Sequence, residues 1–190
     1  QRPRGITIQR YTAINEAVRA MLIRQHAEPD RIDIVRDFVN MDVFRPVRPE
    51  DRMGIPTTPR PERPTSVLYV SNYKRWKSYD VVKGACDKLG WRFTAVGAEY
   101  GRGRELWRTM PQHDIVVSWG RGVLEGMACG CGVVCYDREI GDGYITEARY
   151  FEGRTRNFGG WECRDTFSAD SLALELQRYD PHDGVLNRAL

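Results

Sequence analysis

The sequence has no run of apolar residues near the length of about 20 that crosses a bilayer, and no signal-peptide pattern at its start. Hydrophobic residues make up 41% and charged residues 29% of the 190 positions, a composition typical of a globular domain. We therefore expect a cytoplasmic protein. Because the first residue is Gln1, we also expect the chain to be part of a longer protein.

Residues 66–190 carry no net positive charge, so the excess of +3 comes from the N-terminal third. Residues 1–65 contain 12 arginines and no lysine against 9 acidic residues, whereas residues 66–190 contain 17 basic and 17 acidic residues. Proteins that track the phosphates of nucleic acids usually carry a basic stripe on the folded domain. The charge balance therefore indicates a solvated surface with a local basic pocket, and no nucleic-acid partner.

Metal-binding residues are also few. The five cysteines are an odd number, and four of them lie among apolar or small residues, which is typical of reduced, buried thiols (Cys86, Cys129, Cys131, Cys135). The last three span a helix end, a glycine turn and a strand, with no histidine nearby, whereas zinc ligands usually pair on tight knuckles. We predict no metal site. Of the three histidines, His113 precedes a strand at its amino end, so we predict a surface residue away from any site.

The N-terminal part is predicted to be a helix and a strand followed by a linker. Residues 11–25 have apolar positions at helical spacing with Thr12 as the N-cap, and residues 32–35 are predicted to form a short strand. Six of the ten prolines then fall in residues 46–64. We divide the chain into residues 1–45, the end of an N-terminal domain with an interdomain segment; 46–65, a Pro-rich linker; and 66–190, a Rossmann-like domain.

Residues 66–137 alternate between continuous apolar runs and short amphipathic segments. Strands are predicted at 67–71, 91–97, 114–118 and 132–137, and helices at 78–90, 104–110, 123–130 and 168–179, with Gly90 ending the first helix and Ser168 capping the last. After residue 137 the pattern weakens to a turn-rich loop with a brief strand, and the polar tail from Asp180 is expected to be helical at its end. The fold class predicted is α/β, a Rossmann-like parallel sheet flanked by helices.

Three loops leave the strand ends with basic residues, and two of them are rich in glycine: SNYKRWK (71–77), GAEYGRGR (97–104) and SWGRG (118–122). Ligands of open parallel sheets bind at the carboxyl ends of the strands, and helix N-termini attract anions. We therefore predict a phosphate-bearing ligand, contacted by Arg121 and by the cations of residues 74–77. Glu125 is suited either to accept hydroxyl groups of a ribose or to complement the helix dipole.

The segment DIVVSWGRGVLEGMACGCGVVCYD (114–137) resembles the C-terminal signature of GT-B-fold glycosyltransferases of the large retaining "group 1" (family-4-like) superfamily, in which an "EAMA-G-PVV" core is typical. Residues 11–46 resemble the interdomain stretch of that family, and residues 67–82 its first strand and loop of the donor domain. The resemblance covers roughly three quarters of the chain, with gaps.

The resemblance implies the C-terminal, nucleotide-sugar-binding half of a two-domain enzyme. Such an enzyme transfers a sugar from a UDP- or GDP-sugar with retention, without a metal ion or other cofactor. The acceptor, a glycan, a lipid or another hydroxyl compound, would bind a domain before Gln1, so we expect the isolated chain to be inactive. That missing half also offers a peripheral membrane contact, at the inner membrane face.

The resemblance also assigns roles to residues. Glu125 would hold the donor ribose, Lys77 would meet the diphosphate, and Arg121 would join Lys77 in stabilising the leaving group, so these three are the predicted catalytic residues. The predicted donor-binding set comprises these three together with the loop residues around them: Ser71, Asn72, Lys74, Gly97, Ser118, Trp119, Gly120 and Gly122.

The sequence departs from the family pattern at four positions. The first Glu of the family's paired-Glu motif falls at Val117, the Arg of its "GR" pair falls at Asn72, and Asp37 and Asn40 exchange the usual order of Asn and Asp. These departures keep open a degenerate, non-catalytic nucleotide-binding or protein-interaction module of the same fold. A dinucleotide-dependent oxidoreductase is disfavoured because the first strand leads into SNYKRW and not into G-x-G-x-x-G.

Overall fold

The computed structural model describes residues 8–46, 61–73, 77–100, 105–159 and 165–190. A small N-terminal unit comes first. It consists of strand β1 (Tyr11–Ala13), helix α1 (Glu16–Arg24) and strand β2 (Ile32–Ile34), and the two strands pair in parallel, with Tyr11 opposite Ile32.

The start of α1 differs from the sequence-based prediction. Thr12 was predicted as the N-cap of a helix from residue 11, and this prediction was wrong because Tyr11–Ala13 is drawn into pairing with β2. The cap is Asn15, whose side-chain oxygen accepts a hydrogen bond from the backbone N–H of Val18 at 2.9 Å. Asn is among the strongest N-cap residues. The predicted strand at 32–35 is confirmed.

The main sheet has six strands in the order β4-β3-β5-β6-β7-β8. The first four are parallel, and β7 and β8 add an antiparallel edge. All four predicted strands are confirmed to within about two residues, whereas β8 was not predicted. The strands are β3 (Ser66–Val70), β4 (Arg92–Val96), β5 (Ile115–Ser118), β6 (Gly132–Asp137), β7 (Ile140–Tyr144) and β8 (Asp165–Thr166).

Helices cover both faces of this sheet. The predicted stop of α2 at Gly90 is confirmed, since Gly90 adopts φ 69°, and Ser168 caps α6 as predicted. Helix α4 begins two residues earlier than predicted, which places Arg121 and Gly122 inside the helix, and α5 was not predicted. The helices are α2 (Ser78–Leu89), α3 (Leu106–Thr109), α4 (Arg121–Ala128), α5 (Glu147–Thr155), α6 (Ala169–Leu176) and α7 (Asp183–Ala189).

The central strands β3, β5 and β6 are buried on both faces, which explains their continuous apolar sequences. Alternate residues point to opposite sides. Val67, Val117 and Val134 lie on the side that packs against α2 and α6. Leu68 and Val116 lie on the other side, where they share a core cluster with Met110. The α/β class predicted from the sequence is confirmed.

The predicted buried thiols are confirmed for Cys86, Cys129, Cys131 and Cys135, none of which is joined in a disulfide. The prediction that His113 is a surface residue was wrong. Its ring is 4% exposed, with Nδ1 3.0 Å from the carbonyl oxygen of Thr109 and Nε2 3.0 Å from the hydroxyl of Thr94. Packing against β4 buries it, although it lies at the amino end of β5.

None of the helices in the described ranges has the length and apolarity to cross a membrane. The same ranges contain no cluster of three or more His, Cys, Asp or Glu side chains placed to hold a metal ion.

The strand order creates a crevice. The chain runs from β3 outward to β4 and then returns past β3 to β5, so its direction of travel through the sheet reverses between β3 and β5. Loops leaving two such strands diverge to opposite faces, and the gap between them is where α/β proteins bind ligands.

Gly97, which follows β4, has a packing role that the sequence did not reveal. Its φ is +144°, and a Cβ there would overlap the carbonyl oxygen of Ser71. We expect Gly97→Ala to lower the free energy of unfolding by about 3 kcal/mol, because both backbone strain and overpacking oppose it. Urea denaturation measures this.

Gly90→Ala is the matched control. Gly90 also has positive φ, +69°, but a Cβ there meets nothing within 4 Å. It should cost only about 1 kcal/mol. Equal losses in the two variants would contradict the packing role of Gly97.

Candidate functional site

A cavity of about 710 Å³ opens at the carboxyl ends of β3, β5 and β6, at the crevice between β3 and β5. This is within the usual range of about 300–1,000 Å³ for ligand pockets. Its walls come from the loop after β3, the turn between β5 and α4, the turn after β6, and the loop that follows α5. Ile14 and Asp37 close it from the N-terminal side.

Eight of the eleven donor-binding residues predicted from the sequence line this cavity: Ser71, Asn72, Ser118, Trp119, Gly120, Arg121, Gly122 and Glu125. Lys77 is exposed in the turn that leads into α2, and neither Lys77 nor Gly97 is among the lining residues. Lys74 lies outside the described residues, as does Arg75.

The turn from β5 into α4 needs its glycines for different reasons. Gly120 has φ 58° and ψ −130°, and its N–H donates a 2.7 Å hydrogen bond to the carbonyl oxygen of Phe158. A Cβ on Gly122 would overlap the hydroxyl oxygen of Ser118, which itself donates to the carbonyl of Val70 at 3.1 Å. The tight turn brings the positive end of α4 to the cavity.

Arg121 and Glu125 form an ion pair along α4, with Nε 2.9 Å from Oε1. The Glu125 side chain is 6% exposed and that of Arg121 is 66% exposed, so the guanidinium covers a buried carboxylate. Burial raises the pKa of Glu125 above its ordinary value, against the lowering effect of Arg121, and the carboxylate of Asp37 adds to the rise. The sequence had assigned these two residues separate partners, whereas the structure joins them.

Asp137, at the end of β6, is a lining residue that the sequence analysis missed. It is buried and accepts four hydrogen bonds. Oδ1 receives the hydroxyls of Tyr69 (2.6 Å) and Ser78 (3.1 Å) and the backbone N–H of Arg138 (2.8 Å), and Oδ2 receives the hydroxyl of Ser71 (2.9 Å). An acidic residue at the carboxyl end of a buried strand was a signal that could have found it.

Two neighbours complete this wall. Burial and the Asp137 charge both raise the pKa of Tyr69, so its hydroxyl remains a donor at every physiological pH. Arg138, with φ 51°, brings its guanidinium carbon 5.2 Å from the ring centre of Tyr73. Arg138 is thus a second cation at the cavity, also missed from the sequence.

A third contribution comes from far along the chain. Asn157 lines the cavity, donates from Nδ2 to Asp37 Oδ2 at 2.6 Å, and accepts from the Asp37 backbone N–H at 3.0 Å. No sequence signal pointed to Asn157. Asp37 had been noted only as a departure from the family pattern.

These groups suit a ligand that carries both negative charge and hydroxyls. The guanidinium groups of Arg121 and Arg138 are exposed at the cavity, and Arg121 commits only Nε to Glu125 among its five donor N–H groups. Glu125 also lines the cavity, and a carboxylate can accept hydroxyl groups. Asp137, by contrast, is already occupied by its four donors and acts on the cavity through Ser71.

We expect Asp137→Asn to lower the free energy of unfolding by about 3 kcal/mol, because an amide presents donors where buried hydroxyl and N–H donors need an acceptor. Urea denaturation at neutral pH measures the loss. Asp170→Asn is the control, since Asp170 is 79% exposed in an ion pair with Lys88, and it should cost no more than about 0.5 kcal/mol. A similar small loss for both variants would contradict the role of Asp137 as the buried acceptor of these four donors.

The raised pKa of Glu125 predicts a pH dependence. The folded state binds this proton more tightly than the unfolded state, so between the two pKa values it holds more protons. The contribution of Glu125 to the free energy of unfolding therefore falls as pH rises through that window. Glu125→Gln should remove this fall, and Arg121→Ala should extend it to higher pH.

Urea denaturation from about pH 4 to about pH 8 spans the window. Glu147→Gln, on the exposed first turn of α5, is the control. Its free energy of unfolding should change with pH as that of the wild type does. Parallel profiles for the wild type and Glu125→Gln would show that burial does not perturb Glu125.

No protein-family model matches this sequence, and no curated protein does. Among solved structures, the chain is similar to Anabaena HepE in complex with UDP-glucose, with a TM-score of 0.49 and 14% identity over 95% of this chain and 62% of HepE. It is also similar to the apo form of the lipopolysaccharide outer core galactosyltransferase WaaB, with a TM-score of 0.41 and 14% identity over 94% of this chain and 60% of WaaB. The chain thus spans less than two thirds of each, and similarity at this level does not identify its ligand.

Proposed function

We propose that this chain is the donor-binding part of a glycosyltransferase and that its cavity holds the nucleoside diphosphate of a UDP- or GDP-sugar. The observation that carries the proposal is the assembly of eight sequence-predicted residues around one cavity at the β3/β5 crevice, with the Arg121–Glu125 pair in its wall. The resemblance of residues 114–137 to the donor-site signature also supports it, and six of the eight residues belong to that segment.

Each part of a nucleoside diphosphate has a complement in this wall. The N-terminal end of α4 and the guanidinium groups of Arg121 and Arg138 are suited to the phosphates, since a guanidinium binds phosphate oxygens in pairs. Glu125 is suited to the ribose hydroxyls. Because Arg121 holds Glu125 through Nε alone, it can keep that contact while its terminal nitrogens meet a phosphate.

In this proposal the chemistry is transfer with retention, without a metal ion. Charge develops on the diphosphate as the bond to the sugar breaks, and Arg121 stabilises it, with Lys77 approaching from the start of α2. The acceptor binds a further domain, so this chain alone binds donor and transfers little sugar.

A non-catalytic nucleotide-binding or protein-interaction module is the second candidate. One observation favours it: Val117, where the resembling family has its first Glu, is fully buried in the core. Of the carboxylates described at the cavity, Asp137 is occupied by four donors and Asp37 by Asn157. Binding without transfer is therefore compatible with the site.

Isothermal titration calorimetry of the chain with UDP, GDP, ADP and NAD tests the proposal. We expect one of UDP or GDP to bind, and Arg121→Ala and Glu125→Ala each to weaken that binding at least about tenfold, or about 1.4 kcal/mol. Lys77→Ala tests whether the diphosphate reaches α2. Asp87→Ala, which removes an exposed ion pair with Lys83 on α2, is the control and should bind as the wild type does.

Three outcomes would count against the proposal. Absence of binding to all four compounds would remove the nucleotide site from this chain. Preferential binding of NAD would favour the oxidoreductase alternative. Binding that survives both Arg121→Ala and Glu125→Ala would place the nucleotide elsewhere on the molecule.

A further inference from the structure

The loop after α5 joins the cavity to a distant part of the chain. We call residues 35–46 the strap; it follows β2 and passes the cavity at Asp37. Residues 157–159 of the loop each contact a different structure. Asn157 contacts the strap, Phe158 the hydrophobic core, and Gly159 the cavity residue Trp119.

The contact between Asn157 and Asp37 is reciprocal. The amide nitrogen of Asn157 donates to the Asp37 carboxylate at 2.6 Å, and its amide oxygen accepts from the Asp37 backbone N–H at 3.0 Å. Asn157 is buried, and Asn15 secures the preceding residue by donating to the carbonyl of Arg156 at 3.1 Å. The loop is therefore tied to the N-terminal segment at two points.

The backbone of this loop is held in a conformation that side chains disfavour. Asn157 has φ 60°, which Asn tolerates, and Phe158 has φ 48°, which is unusual for a bulky residue. The Phe158 ring is 1% exposed in the core beside Tyr150, and a Cβ on Gly153 would lie 2.7 Å from it. Strained backbone of this kind persists where surrounding contacts determine it, and it often marks a functional site.

The same loop holds the turn at the start of α4. The carbonyl oxygen of Phe158 accepts the N–H of Gly120 at 2.7 Å, and the thiol of Cys135 donates to it at 3.3 Å. A Cβ on Gly159 would overlap Nε1 of Trp119, so the indole packs directly on the loop backbone. The loop therefore positions Gly120 and Trp119. The residue that holds Gly120, Phe158, directly follows Asn157, which bonds to the strap.

We propose that Asn157 is a positioning residue that couples the seating of the strap to the shape of the cavity. With Asp37 bound, Asn157 fixes the left-handed loop, the Phe158 carbonyl holds Gly120, and α4 presents its N-terminal end correctly to a ligand. With Asp37 released, the Gly120 turn loosens and ligand affinity falls. The affinity part rests on the proposed nucleotide site, whereas the coupling part does not.

The test uses variants that distinguish the hydrogen bonds of the Asn157 side chain from the backbone conformation of that residue. Asn157→Gly keeps easy access to positive φ and adds no charge, but it removes both hydrogen bonds to Asp37. Asp37→Asn keeps an oxygen acceptor and should resemble the wild type. The exchange of both residues, Asp37→Asn with Asn157→Asp, restores one amide and one carboxylate at the same total charge. Asn40→Asp is the control, since it adds a charge to the strap outside the cavity lining.

Two readouts apply to every variant. Amide hydrogen exchange of Gly120, measured relative to the amides of β5 and β6, reports the turn without any ligand. Calorimetry with UDP and with GDP reports the cavity. We expect Asn157→Gly to accelerate hydrogen exchange at Gly120 and to weaken nucleotide binding, each about tenfold. The double variant, Asp37→Asn with Asn157→Asp, should return both quantities close to wild type. Asn40→Asp should change neither.

The outcomes distinguish this inference from the proposed function. If the wild type binds no nucleotide, the proposed function fails, and Gly120 exchange alone decides whether Asn157 couples the strap to the turn. If the wild type binds, an Asn157→Gly variant that is less stable but has unchanged Gly120 exchange and nucleotide affinity overturns the positioning role. The positioning role is also overturned if the double variant does not restore the protection of the Gly120 amide from hydrogen exchange.

Discussion

The cavity depends on one buried carboxylate. Asp137 ends β6 and binds Tyr69 inside β3, Ser71 just after β3 and Ser78 at the first position of α2, so it fastens the ends of non-adjacent strands to each other. An ionised group is costly to bury unless donors surround it, and here four donors do. The crevice that the strand order creates is thereby given one fixed shape. Ser71 lines the cavity while its hydroxyl donates to Asp137, so this carboxylate connects the cavity wall to the interior of the sheet.

The part of the wall that contains Arg121 and Glu125 differs, because its charges are paired but the cation is left exposed. Glu125 is buried and Arg121 is exposed, so the pair keeps the carboxylate compensated while most of the guanidinium remains available to the cavity. Beside this pair, Gly122 permits close approach of the Ser118 side chain, and Gly120 adopts positive φ while its N–H donates to the Phe158 carbonyl. A ligand that brings both anionic and hydroxyl groups meets complementary groups here without requiring either residue to give up its partner. The Asp137 part of the wall is thus fully hydrogen-bonded, whereas the Arg121 part keeps guanidinium donors available to a ligand.

The fold could be predicted from the sequence further than the site could. Continuous apolar runs and glycine stops are local signals, and they sufficed for the four parallel strands and for the cap and stop residues Gly90 and Ser168. The errors arose where distant contacts override local pattern. Tyr11–Ala13 was predicted as part of a helix but forms a strand, because β2 is available to pair with it. Helix α5 was not predicted because it buries only Tyr150 and Gly153, so its sequence shows little amphipathic pattern. Within the site, Glu125 and the glycine turn belong to one short motif. Asn157 and Asp37 are 120 residues apart, and Asp137 and Ser71 are 66 apart, so no local pattern links them.

The departures from the resembling family are explained better by the structure than by loss of function alone. Val117 lies in the core among residues that pack against α2 and α6, and it is the next residue, Ser118, that lines the cavity. A carboxylate at 117 would therefore be buried among apolar side chains, where ionisation is costly. Asp37, another of the four departures, has a specific partner in Asn157. The charged residues described at the cavity are Arg121, Arg138, Glu125, Asp37 and Asp137, and each of the three carboxylates has a hydrogen-bond partner. Among these residues, a ligand of this cavity would therefore meet a single glutamate, Glu125, in place of a pair of glutamates.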